Sequence, residues 1–307
     1  MAGREAITEQ RKAIVEKIVS DMQEHGFEWV RPWSEHFMQR NAVSNRTYHG
    51  GNRLHLAFIS QARGYDDPRW CTFNQAKENG WTVRKGAKSA VIEHWKTTSS
   101  LKPGEAEDGS DDKLVNYPIL VGAWHVFNAA EIEGIPPLGD LKASHISDDA
   151  ATVIPSVRRS SRCKITEAER ISQACYKPLA DIIEMPAKQT FVSDESYLRT
   201  LLHEMAHSTG HQSALDRDMH GSFGSESYAF EDLIAELGSI FTATQLGFPC
   251  ASIDERHYQN HVAYLQSWVS ALRNDEALLF RAASKADIAC EYIIERIKTS
   301  EAEELLE

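Results

Sequence analysis

Two histidines four residues apart with a glutamate between them, His203-Glu204-Met205-Ala206-His207, constrain this chain more than any other stretch. The spacing makes chemical sense on a helix, where both imidazoles share one face and can hold one divalent cation while Glu204 reaches a water beside it. The six residues before the motif, Tyr197 to Leu202, are all compatible with a helix. Two histidines do not complete such a site, because catalytic zinc usually takes three protein ligands and keeps one position open. The fold must therefore bring a second element against this helix.

A glycine three and a histidine six residues beyond His207 would supply the missing ligand locally, but the sixth position is Ser213 and His211 stands at the fourth. Acids within the apolar segment Phe230-Glu231-Asp232-Leu233-Ile234-Ala235-Glu236-Leu237-Gly238 are the other source. Glu236 lies among Ile234, Ala235, Leu237 and Ile240, where an unpaired carboxylate is costly and a cation removes the cost. Glu236 is the expected third ligand, Glu231 the alternative, and Asp232, one turn earlier on the same face, is expected to orient a ligating histidine. The cofactor is expected to be Zn2+, with Mn2+ or another divalent ion as alternatives, and Glu204 to be the catalytic general base of a hydrolysis. The competing reading pairs Glu236 with an arginine and makes the histidines ordinary polar residues.

No stretch approaches eighteen consecutive apolar residues, and the first five residues lack an apolar signal core, so a cytoplasmic protein with no membrane partner is expected. Cys71, Cys163, Cys175, Cys250 and Cys290 are odd in number and form no Cys-x-x-Cys pair, which suits reduced thiols. The net charge of −12 is uneven: residues 1–100 carry +4, residues 101–150 carry −7 and residues 151–307 carry −9. A basic first third beside acidic remainders suggests two units with different partners.

Periodicity predicts an α+β chain. Ile7, Ile14, Val15, Ile18, Val19 and Met22 mark an opening amphipathic helix ending at Gly26, and 90–95 and 120–127 read as strands around an exposed acidic loop at 99–113. A small α+β domain is expected at 1–140, a linker at 141–160 and a mostly helical domain at 161–307, with helices near 163–175, 195–209, 228–246, 255–273 and 275–297. Aromatics and cations interleave in the first domain, the pairing that grips single-stranded nucleic acid by stacking and phosphate contact. The expected DNA-binding residues are Arg31, Trp33, Arg46, Tyr48, Arg53, Trp70, Phe73, Arg84, Lys85 and Lys88.

Trp29-Val30-Arg31-Pro32-Trp33, Asn45 through Asn52, Pro68 through Ala76 and Val83-Arg84-Lys85-Gly86 resemble the N-terminal domain of ArdC-type antirestriction proteins, a domain shared with TraC-type plasmid primases. Ile183-Glu184-Met185-Pro186, the His203–Gly210 stretch, Phe223-Gly224-Ser225 and Ala235-Glu236-Leu237-Gly238 resemble the same family's zincin-like metallopeptidase domain. His49-Gly50-Gly51-Asn52 departs from the family's more usual Arg-Gly-Ile/Val-Asn, and Ala87 stands where an acid is frequent. The resemblance implies a plasmid-borne protein that binds single-stranded DNA and protects incoming conjugative DNA from host restriction. It also implies a gluzincin-like site at His203, His207 and Glu236, with Glu204 catalytic. The protein would act by cleaving a host restriction enzyme or another DNA-bound protein. The alternatives are a DNA-coating module with a structural metal site and a housekeeping peptidase whose first domain recognises peptides.

Overall fold

A computed structural model describes residues 2–26, 29, 36–102, 113–138, 149–219, 225–248, 256 and 261–304. The first half opens with helix α1 (Ala2–His25), strand β1 (Arg40–Asn41) and helix α2 (Gly50–Arg63). Strand β2 (Arg69–Thr72), helix α3 (Phe73–Glu78), strands β3 (Thr82–Val83), β4 (Ala90–Lys102) and β5 (Lys113–Asn128), and strand β6 (Ile132–Glu133) follow. One sheet runs β1-β2-β5-β4, parallel at β1/β2 and antiparallel elsewhere, and β3 pairs with β6. The expected strands thus form, and they run further than periodicity indicates. Residues 99–102 and 113 of the expected acidic loop belong to the β4–β5 ladder, and 103–112 lie outside the described residues.

The second half begins with helix α4 (Ala150–Arg159), then strands β7 (Lys164–Ala168), β8 (Cys175–Lys177) and β9 (Ile182–Pro186) in the order β7-β9-β8. Two expectations are corrected here. Residues 150–159 of the expected linker are a helix whose Val153, Ile154 and Val157 are buried in the main core. The expected helix at 163–175 is instead β7 and β8: Ile165, Ala168 and Ile171 recur at three-residue spacing, but parallel pairing of β7 with β9 prevails over that pattern.

Among the described residues four α-helices follow: α5 (Asp194–Ser208), α6 (Glu226–Leu246), α7 (His261–Asn274) and α8 (Ala277–Glu304). Each long helix that builds the site has its own start signal. Ser193 and Ser196 form a reciprocal cap on α5, and Ser225 accepts from the Tyr228 amide at the start of α6. At Gly238 an added Cβ would meet Ala206 Cβ at 3.3 Å, so the missing side chain lets α6 lie close against α5.

One apolar core joins the halves: Ile14, Ile18 and Met22 of α1 and Leu54 of α2 belong to the same buried cluster as Leu201 of α5, Leu237 of α6 and Leu279 of α8. A second cluster, Leu56, Ile59, Trp70, Ala90 and Val126, packs the other side of α2 under the sheet.

Candidate metal centre

His203 and His207 stand one turn apart on α5 with ring centroids 4.8 Å apart, and both point their Nε2 atoms at Asp232 on α6. Asp232 Oδ1 lies 3.8 Å from His203 Nε2 and 3.6 Å from His207 Nε2. These spacings are too wide for hydrogen bonds. They are close to the edge of a tetrahedron with metal–ligand arms of about 2.1 Å, which is about 3.4 Å. One ligand atom from each of His203, His207 and Asp232 lies within 4.8 Å of the others. Two imidazole nitrogens and a carboxylate oxygen are a donor set suited to zinc or manganese, so the residues present fit a divalent cation.

The far side of each ring is anchored by a carboxylate held by an arginine. His203 Nδ1 lies 3.2 Å from Glu236 Oε2, and Glu236 Oε1 accepts from Arg199 at 2.8 Å, whose other amino group donates to Ser239. His207 Nδ1 lies 3.4 Å from Glu231 Oε1, and Glu231 accepts from Arg217 at 2.7 and 2.9 Å. A carboxylate on Nδ1 fixes the proton there and turns the Nε2 lone pair into the site.

The acids stand in a different arrangement from the one expected. Glu236, expected as a ligand, is paired with Arg199 and braces His203 from behind; Asp232, expected behind the histidines, faces both Nε2 atoms; Glu231, the alternative ligand, braces His207. The arginine-pairing reading of Glu236 is correct in its pairing, yet the histidines are not ordinary polar residues. Sequence reasoning overlooked Arg199 and Arg217. Arg199 sits one turn before His203 in a buried helix, a detectable signal; Arg217 lies in the loop after α5 with no periodicity to mark it.

The electrostatics follow. Burial favours neutral imidazoles, but pairing with Asp232 and Glu236 overrides it and raises the His203 pKa. His207 is likewise opposed by burial and raised, to about 10, by Asp232, Glu231 and the charge of Glu204. For Asp232 and Glu231, burial is outweighed by these cationic partners and holds neither carboxyl up: both lie below the usual carboxylate range. Such a concentration of negative charge demands cations, protons or a metal. Glu204 is 4% exposed and makes no ion pair among the described residues, which leaves its carboxylate for a molecule entering the site. Burial, with Glu204 and Glu184 nearby, pushes up the thiol of Cys175 on β8, placing the charge of Glu204 near that edge strand. A groove of 430 Å³ opens there between Thr166, Arg170, Gln173, Cys175 and Lys177.

The expected DNA-binding residues divide. Arg46, Phe73, Arg84, Lys85 and Lys88 are exposed, Phe73 by 56%, and the last three crown the turn from β3 to β4, where Gly86 takes a φ of 88°. Tyr48 is half-buried and its hydroxyl accepts from Asn41 at 3.3 Å. Two are corrected: Arg53 and Trp70 are fully buried and offer nothing to a phosphate or base. Arg53 donates to Asp287 of α8 at 2.6 Å and to the Phe37 carbonyl at 2.7 Å; the Trp70 indole donates to Gln39. Arg31 and Trp33 lie outside the described residues.

Comparison with known proteins agrees with both halves. Residues 8–127 match the N-terminal domain of anti-restriction factor ArdC, and residues 156–285 match a zincin-like metallopeptidase domain. A DNA primase TraC from Escherichia coli is 31% identical over 303 residues, 92% of this chain, which spans only 20% of that primase and 26% of a second TraC from the same species. An uncharacterized protein, y4eC, of Sinorhizobium fredii (strain NBRC 101917 / NGR234) is 32% identical over 92% of this chain and 88% of its own length. The crystal structure of antirestriction ArdC from plasmid R388 superposes with a TM-score of 0.70 in its metal-free form, at 30% identity over 94% of this chain and 98% of that one. Its Mn(II)-bound form gives a TM-score of 0.67. With sequence and fold both shared over nearly its full length, this chain belongs to the ArdC-type antirestriction family.

Proposed function

We propose that the chain binds single-stranded DNA through its first half and, through a divalent metal on His203, His207 and Asp232, hydrolyses peptide bonds of a host restriction enzyme or another protein on that DNA. The result is protection of incoming conjugative DNA. The observation that carries the metal assignment is the convergence of both Nε2 atoms on Asp232 while both Nδ1 atoms are anchored on glutamates.

A divalent cation there supplies Lewis-acid polarisation of a carbonyl and acidifies water. Glu204 takes the proton of the attacking water and passes it to the leaving amine. An extended peptide laid along β8, an edge strand of its sheet, would find backbone partners there and be delivered beside Glu204. The Mn(II) form of the plasmid R388 protein supports a site able to take manganese as well as zinc.

In the first half, Phe73 offers a stacking face, while Arg46, Arg84, Lys85 and Lys88 offer charge to phosphates. Two experiments separate the roles. Glu204→Ala should keep the metal and lose protection against restriction in a conjugation assay; retained protection would reduce the site to a scaffold and leave DNA coating as the mechanism. Alanine at Arg84, Lys85 and Lys88 together should weaken single-strand binding and lower its log–log salt slope by about 2, at about 0.7 per phosphate contact. An unchanged slope would remove that turn from the interface.

A further inference from the structure

A groove of 540 Å³ lies where the two halves meet, bounded by Arg11 of α1, His49 to Asn52 at the start of α2, Glu93 and Trp95 of β4, and Phe280 to Lys285 of α8. The volume falls within the roughly 300–1,000 Å³ of small-ligand sites. Its wall is an indole that protrudes yet is held still. Trp95 is 47% exposed, and its Nε1–H donates to Glu93 Oε2 at 2.7 Å. The same carboxylate accepts from Arg11 at 2.6 and 2.9 Å, and Asn52 clasps the Glu93 backbone on both sides, donating to its carbonyl and accepting from its amide at 2.8 Å each. Arg11 in turn lies 4.9 Å over the Phe280 ring. At Gly51 a Cβ would meet that ring at 3.0 Å, so α2 approaches α8 closely enough to floor the groove.

An exposed aromatic plane fixed by a three-donor carboxylate has lost its rotamer freedom before any ligand arrives, which favours stacking. The rim is cationic. Among the described residues Lys285 makes no ion pair, Arg281 pairs with Asp275 and lies 5.8 Å over the Phe230 ring, and the one acid lining the groove, Glu93, is neutralised by Arg11. From this the geometry points to a stacking pocket for one unpaired base of a single DNA strand, with Trp95 against the base and Lys285 and Arg281 at the flanking phosphates. This inference rests on the single-strand reading above and extends the path of the strand onto α8 of the metallopeptidase half.

The test uses the full chain and a fluorescent oligothymidylate of about 20 nucleotides, read by anisotropy across a salt series. Trp95→Ala should weaken binding at least about five-fold, the low end of the loss for one stacked base. Trp95→Phe should retain most of the affinity, and Lys285→Glu should weaken binding and flatten the salt slope by about one contact. Thermal melts of each variant exclude unfolding as the cause, and Lys285, being exposed, tests the pocket even if Trp95→Ala melts early. Wild-type affinity in both Trp95→Ala and Lys285→Glu, with the oligonucleotide bound by the wild type, would overturn the pocket alone. A wild type that does not bind the strand would overturn the single-strand reading together with it. Thymidine monophosphate bound as tightly as the oligonucleotide would overturn the strand in favour of a free nucleotide.

Discussion

Asp232 and Glu236 are four residues apart on α6, both almost wholly buried, and their surroundings give them different work. Asp232 faces two Nε2 atoms and pairs with no arginine among the described residues, while the charge of Glu236 is already balanced by Arg199. Asp232→Ala should therefore abolish tight metal binding. Glu236→Gln and Arg199→Ala should retain it with an affinity lower by roughly 10- to 100-fold, as losses behind a ligating histidine do. Isothermal titration with Zn2+ and Mn2+ decides; metal lost from Glu236→Gln and kept by Asp232→Ala would reinstate Glu236 as the ligand. His55 on α2 makes a second residue-scale case. Burial, with Arg63 and Arg11 nearby, lowers its pKa to about 4, so below the ordinary imidazole value of about 6.5 the unfolded chain binds a proton that the folded chain refuses. Stability from this group is thus fully present above about pH 6.5, falls as the pH drops, and levels off near pH 4 with a loss of about 3 kcal/mol. Urea midpoints of wild type and His55→Gln compared at neutral and acid pH should converge on acidification.

At the scale of elements, the site depends on how closely α5 and α6 approach. Gly238 faces Ala206 on α5 and the Ala286 carbonyl on α8, so α6 is gripped from two sides at one residue. Gly238→Val should push these helices apart, costing about 1–3 kcal/mol by overpacking and weakening the metal site, since Asp232 rides on α6 and the histidines on α5. Chemical denaturation and metal titration of the same variant would check both parts; lowered stability with unchanged metal affinity would show that the site tolerates the shift. The first half shows the same control by elements. Asn52 of α2 occupies backbone positions of β4, an edge strand of the sheet, and so ties helix to strand where Trp95 projects.

For the whole molecule, the decisive pair is Arg53 and Asp287. They are buried, 2.6 Å apart and 234 residues apart in sequence. Asp287 also accepts from the Gly50 amide, capping α2 where His49 provides no side-chain cap, and the Arg53 guanidinium lies 4.1 Å over Phe241 of α6. Removing the cation alone would strand a buried carboxylate, so Arg53→Ala should cost about 3–5 kcal/mol. The halves share one core, so probes placed in each should report a single coincident unfolding transition, and the variant should move both together. Separate transitions would mean two independent folding units. If Arg53 gripped DNA instead, the variant would lose affinity and keep its stability.

The sequence by itself determined the local structure around the motif: the helix at α5, the apolar helix at α6, the strands at β4 and β5, and the family. Each of these is written in contiguous residues, through helical spacing and apolar runs. Which acid meets the imidazoles was decided only in three dimensions. Asp232 and Glu236 share a face one turn apart, and choosing between them takes the axial offset of α6 against α5, which Gly238 and Ala206 set by contact. Likewise Arg53 and Trp70 read as surface cation and aromatic because composition carries no record of depth; their partners, Asp287 and Gln39, become neighbours only when the chain has closed on itself. Local periodicity encodes what a segment is, and burial and opposition between distant segments encode what its side chains do.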